Sequence, residues 1–283
     1  MVMLGWREMQ PPRLLDRIAH MHPPVLIVGA HRSGTTATVR ALSLLGLHTG
    51  QRLDSHHEPR ELQRLHETYL RRSGASWYEP ERFVAAVADP QRKQACVEYL
   101  RSGVTSQLSV FGYHPGLTGW LARRRLHSGA PWGWKEPRTT LFAACWLELF
   151  PGARILHVVR HPLAVAASLQ RRELEFQARG DRPNGRVEEF DYCVQLAMTY
   201  VQAAEALAGR ATRYHRMRFE DLQQDPVAHL RTVAAFCGIR FTGRQMKQAA
   251  ATIRPPTGNP SPPVEQKRAL LAHYSLAAKL GYF

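Results

Sequence analysis

The sequence predicts a three-layer α/β fold in which a central, mainly parallel sheet is flanked by helices. Three observations carry that expectation. Short apolar runs, Val25–Val28 and Ile155–Val159 the clearest, alternate with longer helical stretches, which is the order of βαβ units. Those runs are apolar almost throughout, as strands covered on both faces are. Gly46, Pro151-Gly152, Pro162 and Gly238 stand where such units would start or stop helices.

Taken in order, Val25–Val28 reads as the first strand, followed by a helix over Thr35–Leu45 that Gly46 ends. Glu58 to Arg72 has leucines at 62 and 65 and an apolar-bodied pair at 69 and 70, a helical spacing that tolerates Pro59 in its first turn. Residues 81 to 110 read as two helices split by Asp89-Pro90. A helix over 139–149 ends at Pro151-Gly152, the strand Ile155–Val159 follows, and Pro162 opens another helix. Tyr214 to Leu222 reads as a strand running into a turn, and residues from Pro226 as a helix closed by Gly238. Arg254 to Pro263 is too rich in proline for helix or central strand and is expected to be a loop. A last helix is expected over about 264–280. No repeat and no linker stands out, so the 283 residues read as one domain.

A hydrophobic fraction of 44% is enough for a real core. No run of eighteen apolar residues suggests a membrane span. The first 24 residues are broken by charges and prolines too early for a signal peptide, so a cytoplasmic protein is expected. Cys96, Cys145, Cys193 and Cys237 lack metal-ligand spacing and read as buried free thiols. Lys+Arg 38 against Asp+Glu 23 gives a net charge of +15, which favours acidic partners. A nucleic-acid or membrane-surface binder would concentrate that charge. Here it is dispersed, with Ala122 to His127 the one tight cluster, so nucleic acid is not expected as a partner.

The loop between the first strand and helix carries the first chemical signal. Arg32-Ser33-Gly34-Thr35-Thr36 sits where the chain turns sharply into a helix. Helix N-termini present unpaired N–H groups and a partial positive charge to anions. Arg32 adds a permanently charged fork, and Thr35 and Thr36 add hydroxyls that serve equally as caps. The Gly-Lys-Ser/Thr ending that places Mg²⁺ in an ordinary nucleotide-binding loop is missing. A second signal is Arg160, at the end of an apolar strand, with Ser168 eight residues later on the helix opened by Pro162. A strand-end arginine and a hydroxyl on the next helix can converge on one phosphate.

Together the two loops resemble the sulfotransferase family, whose donor is 3′-phosphoadenosine 5′-phosphosulfate (PAPS). The first is similar to that family's 5′-phosphosulfate loop, the second to its 3′-phosphate motif with the same Arg-x-Pro turn. His161 and Ala164 depart from the family's usual Asn/Asp and Asp. Trp132-x-x-Lys135-Glu136-Pro137-Arg138 and Arg218 to Pro226 resemble two further segments of bacterial and carbohydrate-type members, so the likeness spans about residues 25–238 and leaves 239–283 as a C-terminal loop and helix. The resemblance implies a P-loop type of α/β fold and sulfuryl transfer from PAPS, with release of 3′-phosphoadenosine 5′-phosphate (PAP). No metal is expected.

It also implies roles. Arg32, Ser33, Gly34, Thr35, Thr36, Arg160 and Ser168 would hold the nucleotide, with Arg32 stabilising the leaving oxygens. The family's glutamate base falls on Glu58, with Glu61 three residues on as its rival and His56 and His57 as neighbours. Lys135 and Arg138 would aim cations at the sulfuryl group or an anionic acceptor. A kinase-like phosphotransferase and a non-catalytic PAPS/PAP-binding module are the alternative readings. The acceptor, whether small molecule, sugar, lipid or peptide, is not legible, nor is the oligomeric state. Segments 48–130, 171–190 and 254–263 are expected to shape its pocket, with the charged stretch Leu169 to Phe190 as a candidate flap.

Overall fold

The computed structural model of the protein describes residues 23–50, 52–106, 129–255, 265 and 275–282. The expected proline-rich loop beyond Pro255, most of the expected last helix and the basic cluster at 122–127 lie outside the described residues. β1 (Val25–Val28) leads into α1 (Thr35–Leu45), then α2 (Arg60–Arg72), α3 (Glu81–Ala86) and α4 (Pro90–Ser106). β2 (Gly133–Lys135), α5 (Thr139–Leu149), β3 (Arg154–Val159) and α6 (Pro162–Ala178) follow. The remaining elements are α7 (Phe190–Glu205), β4 (Arg213–Arg218), α8 (Phe219–Gln224), α9 (Pro226–Cys237), α10 (Gly243–Ala251) and α11 (Ser275–Lys279).

The strands form one sheet in the order β2-β1-β3-β4, and every pairing is parallel. Strand alternation divides the core into two layers. Leu26, Val28 and Ile155 pack on one face with Phe142 and Trp146 of α5 and Tyr200 of α7. Val25, Ile27, Leu156 and Val158 pack on the other with Val39 and Leu42 of α1 and Leu230 and Val233 of α9. β1 is fully buried because it has helices on both faces and strands on both edges.

The order puts β1 at a switch point. The chain leaves β1 to form β2 on one side, then returns to form β3 on the other. Connections diverge there, and a crevice opens beyond the carboxyl ends of the strands. The loops after β1, β2 and β3 all end in it, which is how residues 32, 135 and 160 come to share a site.

Several expectations change. Residues 133–135, which the sequence does not announce as a strand, form β2, in register with β1 through Val25↔Gly133 and Ile27↔Lys135. Trp132 and Trp134 are core, 3% and 1% exposed, the latter 5.1 Å ring to ring from Trp146. The turn after β4 is the short helix α8, and α7 and α10 were not anticipated. The helix expected from Glu58 begins at Arg60. The candidate flap is helical up to Ala178, and Glu173, fully buried, accepts from the Asn184 N–H (2.6 Å) and side-chain amide (2.9 Å), folding the next loop back onto α6. All four cysteines are buried and free. Among the described residues no helix is long and apolar enough to cross a membrane.

Gly133 is what lets the short β2 approach β1. A Cβ there would lie 2.0 Å from the Val25 carbonyl oxygen and 2.9 Å from the Val25 Cβ. Backbone cannot yield as a flexible side chain does, so Gly133→Ala is expected to destabilise by roughly 1–3 kcal/mol or more. Chemical denaturation with an unchanged m-value checks it; an unaltered midpoint would contradict the account.

Candidate functional site

The cleft at this switch point has a volume of about 410 Å³. Its first wall is the loop after β1. Gly34 caps α1 with φ 95°, and a Cβ there would fall 2.2 Å from the Phe219 ring, so only glycine lets the loop pack against the start of α8. Arg32 is also left-handed, at φ 69°, a conformation that costs a non-glycine residue free energy and is found at functional sites. Three contacts hold it there. Arg160 Nη1 donates to the Arg32 carbonyl (3.2 Å), Arg32 Nε donates to Ser168 Oγ (3.0 Å), and the Thr140 hydroxyl both accepts from and donates to the Gly29 backbone (2.9 and 3.1 Å).

Arg32, Arg160 and Ser168, read as two separate loops in the sequence, thus meet directly. His161 explains its own departure from the usual Asn or Asp: its ring accepts from the Leu163 N–H (3.3 Å) and caps α6 as those residues would. Gly34, Thr35 and Thr36 line the cleft. Ser33 does not. Its side chain is buried within the loop, and its N–H donates to the Ala30 carbonyl at 3.2 Å.

The second wall comes from the loop before α2. Asp54 Oδ1 accepts from the N–H groups of His56 and Glu58 (2.8 and 2.9 Å), while Gln63 donates to Asp54 Oδ2 (2.9 Å) and to Glu58 Oε2 (2.7 Å). This fixes Glu58, 8% exposed, with Oε1 2.5 Å from Lys135 Nζ. Lys135 also donates to Thr36 Oγ1 at 3.0 Å. One ammonium therefore bridges the anion loop and the carboxylate. Burial raises the Glu58 pKa above the ordinary carboxylate value, and the charge of Lys135 opposes that rise. Burial likewise lowers the pKa of Lys135, against the pull of Glu58.

Glu61 is not brought to this site. It lies in the first turn of α2, away from the cleft lining, with Arg52 Nη1 3.5 Å from its carboxylate. The helix starts two residues later than expected, and this separates the two glutamates. His56 does line the cleft. Arg138 lines it too, but its fork is committed: Nη1 to Glu136 Oε1 (2.5 Å) and Nη2 to Glu67 Oε1 (2.8 Å). Its Nε is buried without a partner, so two of its three nitrogens are held by carboxylates while the side chain still lines the cleft.

Glu136 is the centre of that second network and is fully buried. Its Oε1 also accepts from the Arg138 N–H (3.2 Å), and its Oε2 lies 2.5 Å from His66 Nδ1. His66 Nε2 accepts from Trp146 Nε1–H at 3.1 Å, so the ring proton sits on Nδ1 and is donated to Glu136. Burial alone would raise the Glu136 pKa; Arg138 and His66 outweigh it and bring it down to about 2.

Residues that the sequence did not single out complete the cleft: His31, Trp77, Arg172, Phe176, Asn184 and Phe219. Burial lowers the His31 pKa well below its ordinary value, helped by Arg138 and Arg172. The lining thus carries five cationic side chains (Arg32, Lys135, Arg138, Arg160 and Arg172) and two carboxylates, Asp54 and Glu58. Such a donor-rich set, beside the first turn of α1, suits a ligand with several negative charges.

A family model described as the Sulfotransferase family matches residues 23–243, and the chain belongs to that family. No curated protein matches it. Among solved structures it is similar to the sulfotransferase STF1 from Mycobacterium tuberculosis H37Rv, at 16% identity and a TM-score of 0.46 over 85% of this chain and 76% of that one. The sulfotransferase domain of the Synechococcus PCC 7002 olefin synthase is 18% identical, with a TM-score of 0.46 over 81% and 77% of the two chains. A sulfotransferase from Alicyclobacillus acidocaldarius is 16% identical, with a TM-score of 0.43 over 90% and 92%.

The Glu136 network yields a stability prediction. Its folded-state pKa is depressed, so its contribution is fully present above the unfolded carboxylate value of 4.5 and fades as pH falls toward about 2. Glu136→Gln leaves Arg138 short of its buried counter-charge and is expected to cost about 3–5 kcal/mol at neutral pH. The gap between variant and wild type should narrow in denaturation curves taken at successively lower pH within that window. A gap that stays constant would count against the ion pair as its source.

Proposed function

We propose that this member of the sulfotransferase family moves a sulfuryl group from PAPS to a hydroxyl or amine of an acceptor, with Glu58 as general base. The observation that carries the reading is the position of Lys135 Nζ, 3.0 Å from Thr36 Oγ1 and 2.5 Å from Glu58 Oε1. It joins the loop at the start of α1 to a buried carboxylate across a single ammonium, so an anion on that loop and a proton acceptor would stand on either side of one cation.

The chain's residues divide the work. The backbone of Arg32 to Thr36 and the hydroxyls of Thr35 and Thr36 receive the 5′ end of the nucleotide, helped by the positive end of α1. Arg160 and Ser168, which already touch Arg32, receive the 3′-phosphate. PAPS supplies the activated sulfuryl group: the acceptor oxygen or nitrogen bonds to sulfur as the sulfur–oxygen bond to the 5′-phosphate breaks, and PAP leaves. Glu58 accepts the acceptor's proton. Arg32 and Lys135 offset negative charge on the equatorial and leaving oxygens, a preorganised stabilisation that pays no reorganisation cost during transfer. Gln63 and Asp54 hold Glu58 at the angle the proton transfer needs. Gly34 brings the loop backbone against Phe219, whose ring also lies 5.8 Å from the Arg160 guanidinium.

Incubation with PAPS and an acceptor panel, read by the mass shift of sulfation, tests the reaction; no transfer together with no affinity for PAP would sink it. Glu58→Gln should keep PAP binding and lower kcat about 10²–10⁴-fold, the usual worth of a positioned base. Equal turnover in that variant would assign the protein a different base, and PAP binding with no turnover in wild type would favour a binding module. Activity needs Glu58 ionised and Lys135 protonated. Its acidic limb is therefore expected above the ordinary carboxylate range and its basic limb below that of an ordinary lysine. A kcat/KM–pH profile, which reports the free enzyme's groups, checks both signs.

A further inference from the structure

We infer that the acceptor of this protein carries an oxyanion of its own, a carboxylate, sulfate or phosphate, which Arg172 binds; the inference rests on the proposed transfer reaction. Arg172 lines the cleft, yet its Nε and Nη2 are buried without a hydrogen-bond partner. A buried donor left unpaired is costly, and a buried cation more so. Among the described residues Arg172 forms no ion pair. The carboxylates around it are spent elsewhere: Glu58 on Lys135 and Gln63, Asp54 on two N–H groups and Gln63, Glu173 on Asn184, and Glu136 on Arg138 and His66.

Position along α6 assigns this cation to the acceptor. Ser168, Arg172 and Phe176 recur every four residues and so share one face of the helix, each about 5–6 Å beyond the last. Ser168 is held at the nucleotide loop by Arg32. Arg172 stands one turn further on, past the residues that receive the nucleotide. Arg172 shares the cleft lining with Arg32 and Glu58; burial depresses its pKa, Arg32 adds to that, and Glu173 and Glu58 pull the other way.

Its setting also limits the shape of the acceptor. The guanidinium lies 4.9 Å from the Trp77 ring centre and 5.8 Å from that of Phe176. Cation–π contact steadies it but leaves the in-plane N–H groups available. His31 packs on Trp77 at 4.5 Å, and its Nε2 is likewise buried without a partner. Asn184 closes the same end of the cleft through its bonds to Glu173. A forked donor between two aromatic walls fits a planar or compact oxyanion, which can accept two parallel N–H bonds.

Two titrations test this by calorimetry. PAP is titrated first into wild type, Arg172→Gln and Arg172→Lys. With PAP saturating, each protein then receives inorganic sulfate, 4-hydroxyphenylacetate and the methyl ester of the latter. Equal PAP affinity in all three proteins is expected, which also shows the variants folded. Wild type should bind sulfate or the carboxylate more tightly than the neutral ester. Arg172→Gln should lose at least about tenfold of that anion affinity, the worth of one charge-assisted hydrogen bond, and Arg172→Lys should recover part of it. Anion binding that is absent, or equal in wild type and Arg172→Gln, overturns the inference and leaves the transfer reaction standing. A tenfold loss of PAP affinity in Arg172→Gln overturns it by assigning the arginine to the nucleotide. No PAP affinity in any protein overturns both readings.

Discussion

Glu136 is fully buried, and a carboxylate in that position persists in its charged form only where donors replace the water it has lost. The donors come from three directions: His66 on α2, the Arg138 side chain, and the Arg138 backbone at the start of α5. Satisfying one buried charge therefore fixes the relation of α2 and α5 to the end of β2. The residue before Glu136 is Lys135 and the one after it is the cleft-lining Pro137. The network beneath thus sets where the ammonium above can point. Arg138 ties this foundation to the cleft that it also lines.

Sheet order converts that anchored turn into a site. Lys135 pairs in register with Ile27, two residues before Gly29, so the end of β2 is brought beside the loop leaving β1. Thr140, the second residue of α5, then ties Gly29 at both its N–H and its carbonyl. On the other side β3 pairs Val28 with His157, and the strand ends at Val159, just before Arg160, which grips the Arg32 carbonyl. The strained conformation of Arg32 is over-determined by neighbours from both sides, the condition under which strain at a site persists. Its guanidinium is thereby oriented before any ligand arrives.

How much of this the sequence revealed depended on how local each cause was. The loop at 32–36 and the Arg160–Ser168 pair were legible as candidate anion contacts because their signals lie in backbone turns and short spacings, and the structure joins them through Arg32. β2 was not. Three residues, one of them glycine and one lysine, carry no alternation, and the strand exists because β1 offers it an edge. Glu58 and Glu61 looked equivalent because both precede or open the same helix; the start of α2 at Arg60 and the pairing with Lys135 are tertiary outcomes. Arg138 and Arg172 were equally opaque. Their side chains are alike in the sequence, and only the positions of Glu136 and Glu67 engage both Nη atoms of Arg138 while Nε and Nη2 of Arg172 stay unpaired.

Above that foundation Glu58 and Lys135 form a buried pair. The two pKa values move toward one another for a shared reason: burial penalises each charge, and each survives through its partner. Such a pair is poised rather than merely stable. On the proposed reading, an anion on the Thr36 loop offers Lys135 a second counter-charge, at a distance already set by the 3.0 Å bond to Thr36. Any shift of the ammonium toward that anion weakens its hold on Glu58 and makes the carboxylate a stronger base. The base would then be activated by the donor nucleotide itself, and proton abstraction would be tied to the presence of something to transfer. Gln63 and Asp54 keep Glu58 from following the lysine, because their hydrogen bonds to the loop do not depend on its charge. The same desolvation that makes the pair costly to bury thus gives it a means of sensing the anion beside it.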